Sequence, residues 1–170
     1  MPLSPDPNQS ALPTLSNIAT HTQEVFGIQP CQWQLQVAEA ILKGGHDVLC
    51  IARTGMGKTL TFWMPLLFRP AGIQIVVTPL NLLGKQNVMS LVKAGIQAIS
   101  ISSETATPAN FQAIGAFQYR VVVISPEQLM RPEGGFEKLL KNPLFVSWII
   151  SIVIDEAHCL TEWGEFRPEY

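Results

Sequence analysis

A three-layer, doubly wound α/β fold with a mostly parallel sheet is what this sequence predicts, and three observations carry the prediction. Short apolar runs alternate with amphipathic stretches through most of the chain, the order that yields parallel strands joined by helices. The string Ala52-Arg53-Thr54-Gly55-Met56-Gly57-Lys58-Thr59 stands between an apolar run and a helical stretch, the setting of a phosphate-binding loop. Asp155-Glu156 follows directly on the apolar run 149–154. Two carboxylates are thereby placed at the carboxyl end of a strand, where ligands bind in such sheets.

In order, the chain reads as follows. Residues 14–26 predict a helix on Leu15, Ile18, Ala19, Val25 and Phe26, closed by Gly27. A second helix starts after Pro30, buries Trp33, Val37, Ala38, Ile41 and Leu42, and stops at Gly44-Gly45. Residues 47–52 predict a strand, and a helix follows the loop as far as residue 68. Then come a strand at 73–78, a helix at 79–94 opened by Pro79, a strand at 96–100 and a short helix opened by Thr107-Pro108. A strand at 120–124, a helical turn at 126–130 and a helix at 136–141 precede the last strand, 149–154. That strand has almost no polar relief, the pattern of a parallel strand buried on both faces.

Composition bounds the function. The 170 residues are 47% hydrophobic, enough to fill the core of one domain. A net charge of −2 gives no global basic field, so any contact with nucleic acid must be local. Cys31, Cys50 and Cys159 lack metal-ligand spacing and suit a reducing compartment. The longest apolar run, 144–154, is shorter than the roughly 20 residues that cross a bilayer, so no membrane partner is expected. Residues 1–13, bearing proline and serine without a signal-peptide pattern, read as a flexible tail, and residues 14–170 as one nucleotide-binding domain.

The chemistry follows from residue types. In the phosphate-binding loop Thr54, Gly55, Met56 and Gly57 can turn backbone N–H groups toward phosphate oxygens, and a helix N-terminus adds its positive end. Lys58 would reach the β- and γ-phosphates, and Thr59 would offer a hydroxyl to Mg²⁺. With a metal-bound triphosphate in the same sheet, Asp155 would hold Mg²⁺ through water and Glu156 would orient and deprotonate the attacking water. A guanine-reading Asn-Lys-x-Asp string is absent, which disfavours a signalling GTPase.

These residues resemble the first RecA-like lobe of a superfamily 2 helicase, and within that group the RecQ family of ATP-dependent DNA helicases. Gly55-Met56-Gly57-Lys58-Thr59 matches motif I, Thr78-Pro79-Leu80 with Gln86 is similar to motif Ia, Ser125-Pro126-Glu127 to motif Ib, and Asp155-Glu156-Ala157-His158 to motif II. The stretch 158–170, with Trp163, Phe166 and Arg167, resembles the aromatic-rich loop of RecQ enzymes. Phe26-Gly27 followed by Gln34 resembles motif 0, whose glutamine reads the donor and acceptor edge of adenine. Register selects Gln34 over its neighbours Gln32 and Gln36. Three departures stand out: Cys31-Gln32 where an arginine is usual, Lys85 where an acidic residue is common, and an aromatic-rich loop one residue short at Glu165.

The resemblance implies ATP and Mg²⁺ as cofactors, DNA as partner, a nuclear or cytoplasmic protein, and 3′–5′ strand separation once a second lobe supplies arginines. Lys58, Asp155, Glu156 and His158 would serve catalysis, His158 by linking the ATP site to the nucleic-acid side. Gln34, 54–57, Lys58 and Thr59 would hold the nucleotide. Thr78, Pro79, Leu80 and Ser125 would hold strand phosphates, Trp163 and Phe166 would stack on bases unless the two aromatics are core, and Arg167 would join the nucleic-acid side. The sequence reaches Tyr170 before a motif III or a second lobe, so this chain alone is expected to turn ATP over slowly. A stand-alone nucleotide- or nucleic-acid-binding module is the alternative.

Overall fold

The computed structural model of the chain describes residues 12–53, 55–79 and 81–157. It comprises two compact units, Met1–Ala71 and Gly72–Tyr170.

In the first unit, helix α1 (Leu15–Phe26) begins where Thr14 turns its hydroxyl to the N–H of Asn17, 3.2 Å away, and ends at Gly27 in the left-handed region, φ 69°. Helix α2 (Gln32–Lys43) stops at Gly44, as the glycine pair predicts. Helix α3 (Lys58–Trp63) is shorter than expected, because the chain tightens into a 3₁₀ turn over Met64–Leu67. Pro65 lies in that turn and has no N–H with which to continue the α-helical ladder. Ile18, Ala38, Leu42, Leu60 and Met64 form the core, with Leu15, Phe26, Leu35 and Phe68 packed against it. Removing each large side chain from water contributes about 1.5–3 kcal/mol. Arg69 Nη2 donates to the carbonyl of Leu42 at 2.7 Å, satisfying one of the orphan acceptors at the end of α2.

The strand expected at 47–52 is not present. Residues 46–53 carry no strand ladder, and Leu49 and Ile51 are 83% and 89% exposed. A β-strand exists by pairing, and all four described strands belong to the second unit.

That second unit is built on a parallel sheet of β1 (Ile73–Val77), β2 (Ala98–Ile101), β3 (Val121–Ile124) and β4 (Ile149–Ile154), in the spatial order β2-β3-β1-β4. Helix α4 (Asn81–Lys93) connects β1 to β2, moving outward in one direction. The later connections, α5 (Pro108–Gly115) and then α6 (Pro126–Leu129), α7 (Gly135–Leu140) and α8 (Pro143–Ser147), move back the other way. Right-handed crossovers therefore require α4 on one face of the sheet and the later helices on the other. Packing agrees. Ile75, Val77, Ile101, Val122 and Ile124 form one buried cluster with Ile114 of α5, Phe136 of α7 and Phe145 of α8. On the opposite face α4 comes so close that a Cβ at Gly84 would lie 3.1 Å from Ser100 Oγ and 3.3 Å from Val123 Cγ1. Also on that face, Gln74 Nε2 of β1 donates across the strands to Ser151 Oγ of β4 at 2.9 Å.

The strand expected to be buried on both faces, β4, is instead a half-covered edge strand. It pairs with β1 alone among the described strands, and Ile152 and Ile154 are 60% and 53% exposed. Helix α8 adds an element that the apolar pattern does not predict. Asn142 starts it by accepting from the N–H of Leu144 at 3.0 Å, with Pro143 in the first turn.

Candidate functional site

The loop that the sequence marks as phosphate-binding lies in the first unit between α2 and α3. Gly55 and Gly57 both take left-handed conformations, φ 83° and 74°, which an L side chain adopts only at a cost of about 1–2 kcal/mol. Lys58 and Thr59 follow as the first turn of α3. The lysine ammonium donates to the carbonyl of Ala52 at 3.0 Å, across the mouth of its own loop. Gln34 closes the loop from the side of α2. Its side chain is buried, and Nε2 donates to the carbonyls of Met56 and Gly57 at 3.2 and 3.0 Å. Its Oε1 accepts from the N–H of Cys31 at 2.9 Å. The amide orientation is fixed, because the N–H partner demands the oxygen and the two carbonyls demand the nitrogen. Gly57 is also the residue against which Gln34 packs: a Cβ there would lie 2.8 Å from Nε2.

In the second unit the strand ends form a row. Ser125 N donates to Ile101 O at 3.1 Å, Thr78 N to Ile124 O at 3.1 Å, and Asp155 N to Val77 O at 2.9 Å. The order along the carboxyl edge of the sheet is thus Ser102, Ser125, Thr78, Asp155. Thr78 is 2% exposed and its hydroxyl has no hydrogen-bond partner among the described residues. A buried hydroxyl without a partner costs about 1–3 kcal/mol, so this one is suited to an incoming acceptor or donor. Pro79 is buried beside it, and Ser125 is the N-cap of α6.

At the end of the row the backbone is strained. Glu156 has φ 52°, left-handed for a residue with a side chain, and its N–H donates to Asp155 Oδ1 at 3.0 Å. Such a conformation costs roughly 1–3 kcal/mol and persists where the turn is otherwise over-determined, commonly at functional sites. Among the described residues no group of three or more His, Cys, Asp and Glu side chains is placed to hold a metal ion. Taken singly, the hydroxyl of Thr59 and the carboxylate of Asp155 are oxygen donors, the ligand type that Mg²⁺ takes.

The structure thus brings Gln34, Gly55, Met56, Gly57, Lys58 and Thr59 together in one unit, and Thr78, Pro79, Ser125, Asp155 and Glu156 on one sheet edge in the other. Thr54, Leu80, His158, Trp163, Phe166 and Arg167 lie outside the described residues. Lys85, whose position suggests either a phosphate contact or a solvated charge, forms an exposed ion pair with Glu104 at 3.2 Å. Two contributors go beyond the residues that the motifs single out. Cys31 acts through its main chain, anchoring Gln34 three residues on, a spacing that matches a capping box. Ser102 joins the strand-end row, and its place just after an apolar run is the signal that the sequence holds for it.

Comparison with known proteins gives the family. A protein-family model described as DEAD/DEAH box helicase matches residues 31–170. ATP-dependent DNA helicase Q5 of Mus musculus is 31% identical over 156 residues, which cover 87% of this chain and 16% of that protein. ATP-dependent DNA helicase Q-like 4B of Arabidopsis thaliana is 31% identical over 169 residues, 95% of this chain and 14% of that protein. ATP-dependent DNA helicase RecQ of Haemophilus influenzae is 35% identical over 153 residues, 87% of this chain and 23% of that protein. The chain spans less than a quarter of the length of these relatives. No helix among the described residues is long and apolar enough to cross a membrane.

Proposed function

We propose, for a chain that belongs to the DEAD/DEAH box helicase family and is RecQ-like in sequence, that it is the Mg-ATP-binding lobe of a 3′–5′ DNA helicase and acts together with a second RecA-like lobe. The observation that carries the reading is the loop at 52–59, where two left-handed glycines lead into Lys58 at the head of α3. In this account the loop amides and Lys58 hold the β- and γ-phosphates, and Gln34 reads adenine. Thr59 and Asp155 would each offer an oxygen to Mg²⁺, which would supply charge neutralisation at the phosphates. Glu156 takes the proton of the attacking water, and the strained turn holds it at the strand end.

Along the same edge Thr78 and Ser125 hold nucleic-acid phosphates, contacts that position a strand without reading its sequence. The buried hydroxyl of Thr78, which has no hydrogen-bond partner among the described residues, supports this part of the reading. Lys58→Ala is expected to remove ATP binding, and Glu156→Gln to keep binding while abolishing hydrolysis. Turnover in Glu156→Gln equal to that of the parent chain overturns the assignment of the base. Thr78→Val is expected to weaken single-stranded DNA binding by up to about tenfold, uniformly across sequences; a change in sequence preference contradicts a backbone contact.

A further inference from the structure

We propose that Glu104 is a built-in rival of the nucleic-acid strand: its carboxylate holds the ammonium of Lys85 beside the strand-end row, and a backbone phosphate gains that ammonium by displacing it. The inference rests on the nucleic-acid reading of the row given above. It deepens that reading by adding a cation to the contacts and an anion that sets their strength.

Placement comes first. Gly84, next to Lys85 in α4, sits over the ends of three strands at once: a Cβ there would lie 3.1 Å from Ser100 Oγ of β2, 3.3 Å from Val123 Cγ1 of β3 and 3.7 Å from Thr78 Cγ2 just past β1. Lys85 thus starts from the edge that carries Ser102, Ser125 and Thr78. Its ammonium lies 3.2 Å from Oε2 of Glu104, in the loop that follows Ser102. The ion pairs Lys43–Glu39 and Lys141–Glu137 join residues four apart on one helix. The Lys85–Glu104 pair instead joins α4 to the loop after β2, across 19 residues.

That loop holds the carboxylate in place. Thr105 Oγ1 accepts from Ser102 N–H at 2.9 Å and donates to Ser100 O at 2.6 Å. Ala106 N–H donates to Ser102 O at 2.9 Å, and Asn110 Nδ2 to Thr105 O at 2.7 Å. These bonds bracket Glu104 and fix its main chain, while its side chain is 74% exposed. An exposed ion pair is weak and screened by salt, so it yields to a stronger anion. A nucleic-acid strand is such an anion, because release of the counterions condensed on its phosphates drives the exchange. Glu104 therefore lowers affinity without regard to sequence, since only the backbone of the strand is involved.

Binding of the full chain to an oligothymidylate, read by fluorescence anisotropy over a series of salt concentrations, tests this in the parent, Glu104→Gln, Lys85→Gln and the double variant. Both side chains are more than half exposed, so neither substitution removes a core contact. Glu104→Gln is expected to bind about two- to fivefold more tightly at low salt, a gain that fades as salt rises. Lys85→Gln is expected to bind more weakly and to reduce the slope of log K against log salt by about 0.7, the loss of one single-strand phosphate contact. In the Lys85→Gln background, Glu104→Gln should give little or none of its gain, because Glu104 acts through the ammonium.

A full gain in that background makes Glu104 a general repulsive charge and overturns the inference. Unchanged affinity in Glu104→Gln, or an unchanged salt slope in Lys85→Gln, makes the pair an ordinary solvated one and overturns it equally, with the reading of Thr78 and Ser125 left standing. Failure of the parent chain to bind the oligonucleotide at all overturns the nucleic-acid reading itself, and the inference with it.

Discussion

Alanine at the two glycines of the phosphate loop separates backbone strain from contact. Gly55 and Gly57 both lie in the left-handed region, so alanine costs about 1–2 kcal/mol at either, offset by about 0.4–1 kcal/mol through the stiffer unfolded chain. They differ in surroundings. Among the described residues nothing lies within 4 Å of a Cβ at Gly55, whereas a Cβ at Gly57 would stand 2.8 Å from Gln34 Nε2 and drive it off Met56 O and Gly57 O. Two neutral hydrogen bonds at about 0.5–1.5 kcal/mol each make Gly57→Ala more destabilising than Gly55→Ala by about 1–3 kcal/mol. The assay is urea unfolding, read as a shift in midpoint at unchanged slope. A double-mutant cycle isolates the cause: in a Gln34→Ala background, Gly57→Ala should cost no more than Gly55→Ala. Equal costs of the two glycine variants in the parent chain, or an undiminished excess in the Gln34→Ala background, refute the reasoning.

Two further outcomes are expected. Ile75→Ala, at a position 1% exposed in the centre of the sheet, should destabilise by about 2–5 kcal/mol, and Ile152→Ala, 60% exposed on the edge strand, by no more than about 1 kcal/mol, both checked by the same unfolding assay. Glu137 accepts from Lys141 and from the backbone N–H of Glu133, and these contacts, the lysine first, hold its carboxyl below the ordinary glutamate range. A depressed carboxylate contributes stability above its unfolded value, about 4.3, and loses it as pH falls through the folded one. Glu137→Gln should therefore differ from the parent at neutral pH and converge with it in acid, a comparison made by thermal unfolding across pH.

Much of this architecture is legible in the sequence because local chemistry sets it. Thr14 and Gly27 bound α1, Gly44 ends α2, and Thr107-Pro108 opens α5, each through a cap that the residue type itself provides. The apolar run 149–154 is β4 to the residue. Its burial is not legible, because hydrophobicity reports a preference for pairing and not the place of a strand in the sheet. The same limit explains 47–52, a run of strand formers with no described partner. Helix α8 is hidden by its own apolar content, although Asn142-Pro143 carries the start signal. At the site, residue type identifies the loop and the strand-end carboxylates. It does not give the committed state of the Gln34 amide, which depends on carbonyls 22 and 23 residues away.

The central claim, that this chain binds Mg-ATP through the loop ending at Lys58, is most directly tested by the melting temperature of the full chain with and without saturating Mg-ATP, beside Lys58→Ala. A ligand present at 100 times its dissociation constant stabilises the folded state by about 2.7 kcal/mol. Binding through Lys58 predicts a rise of several degrees in the parent chain and none in Lys58→Ala. An equal rise in both, or none in the parent, contradicts it.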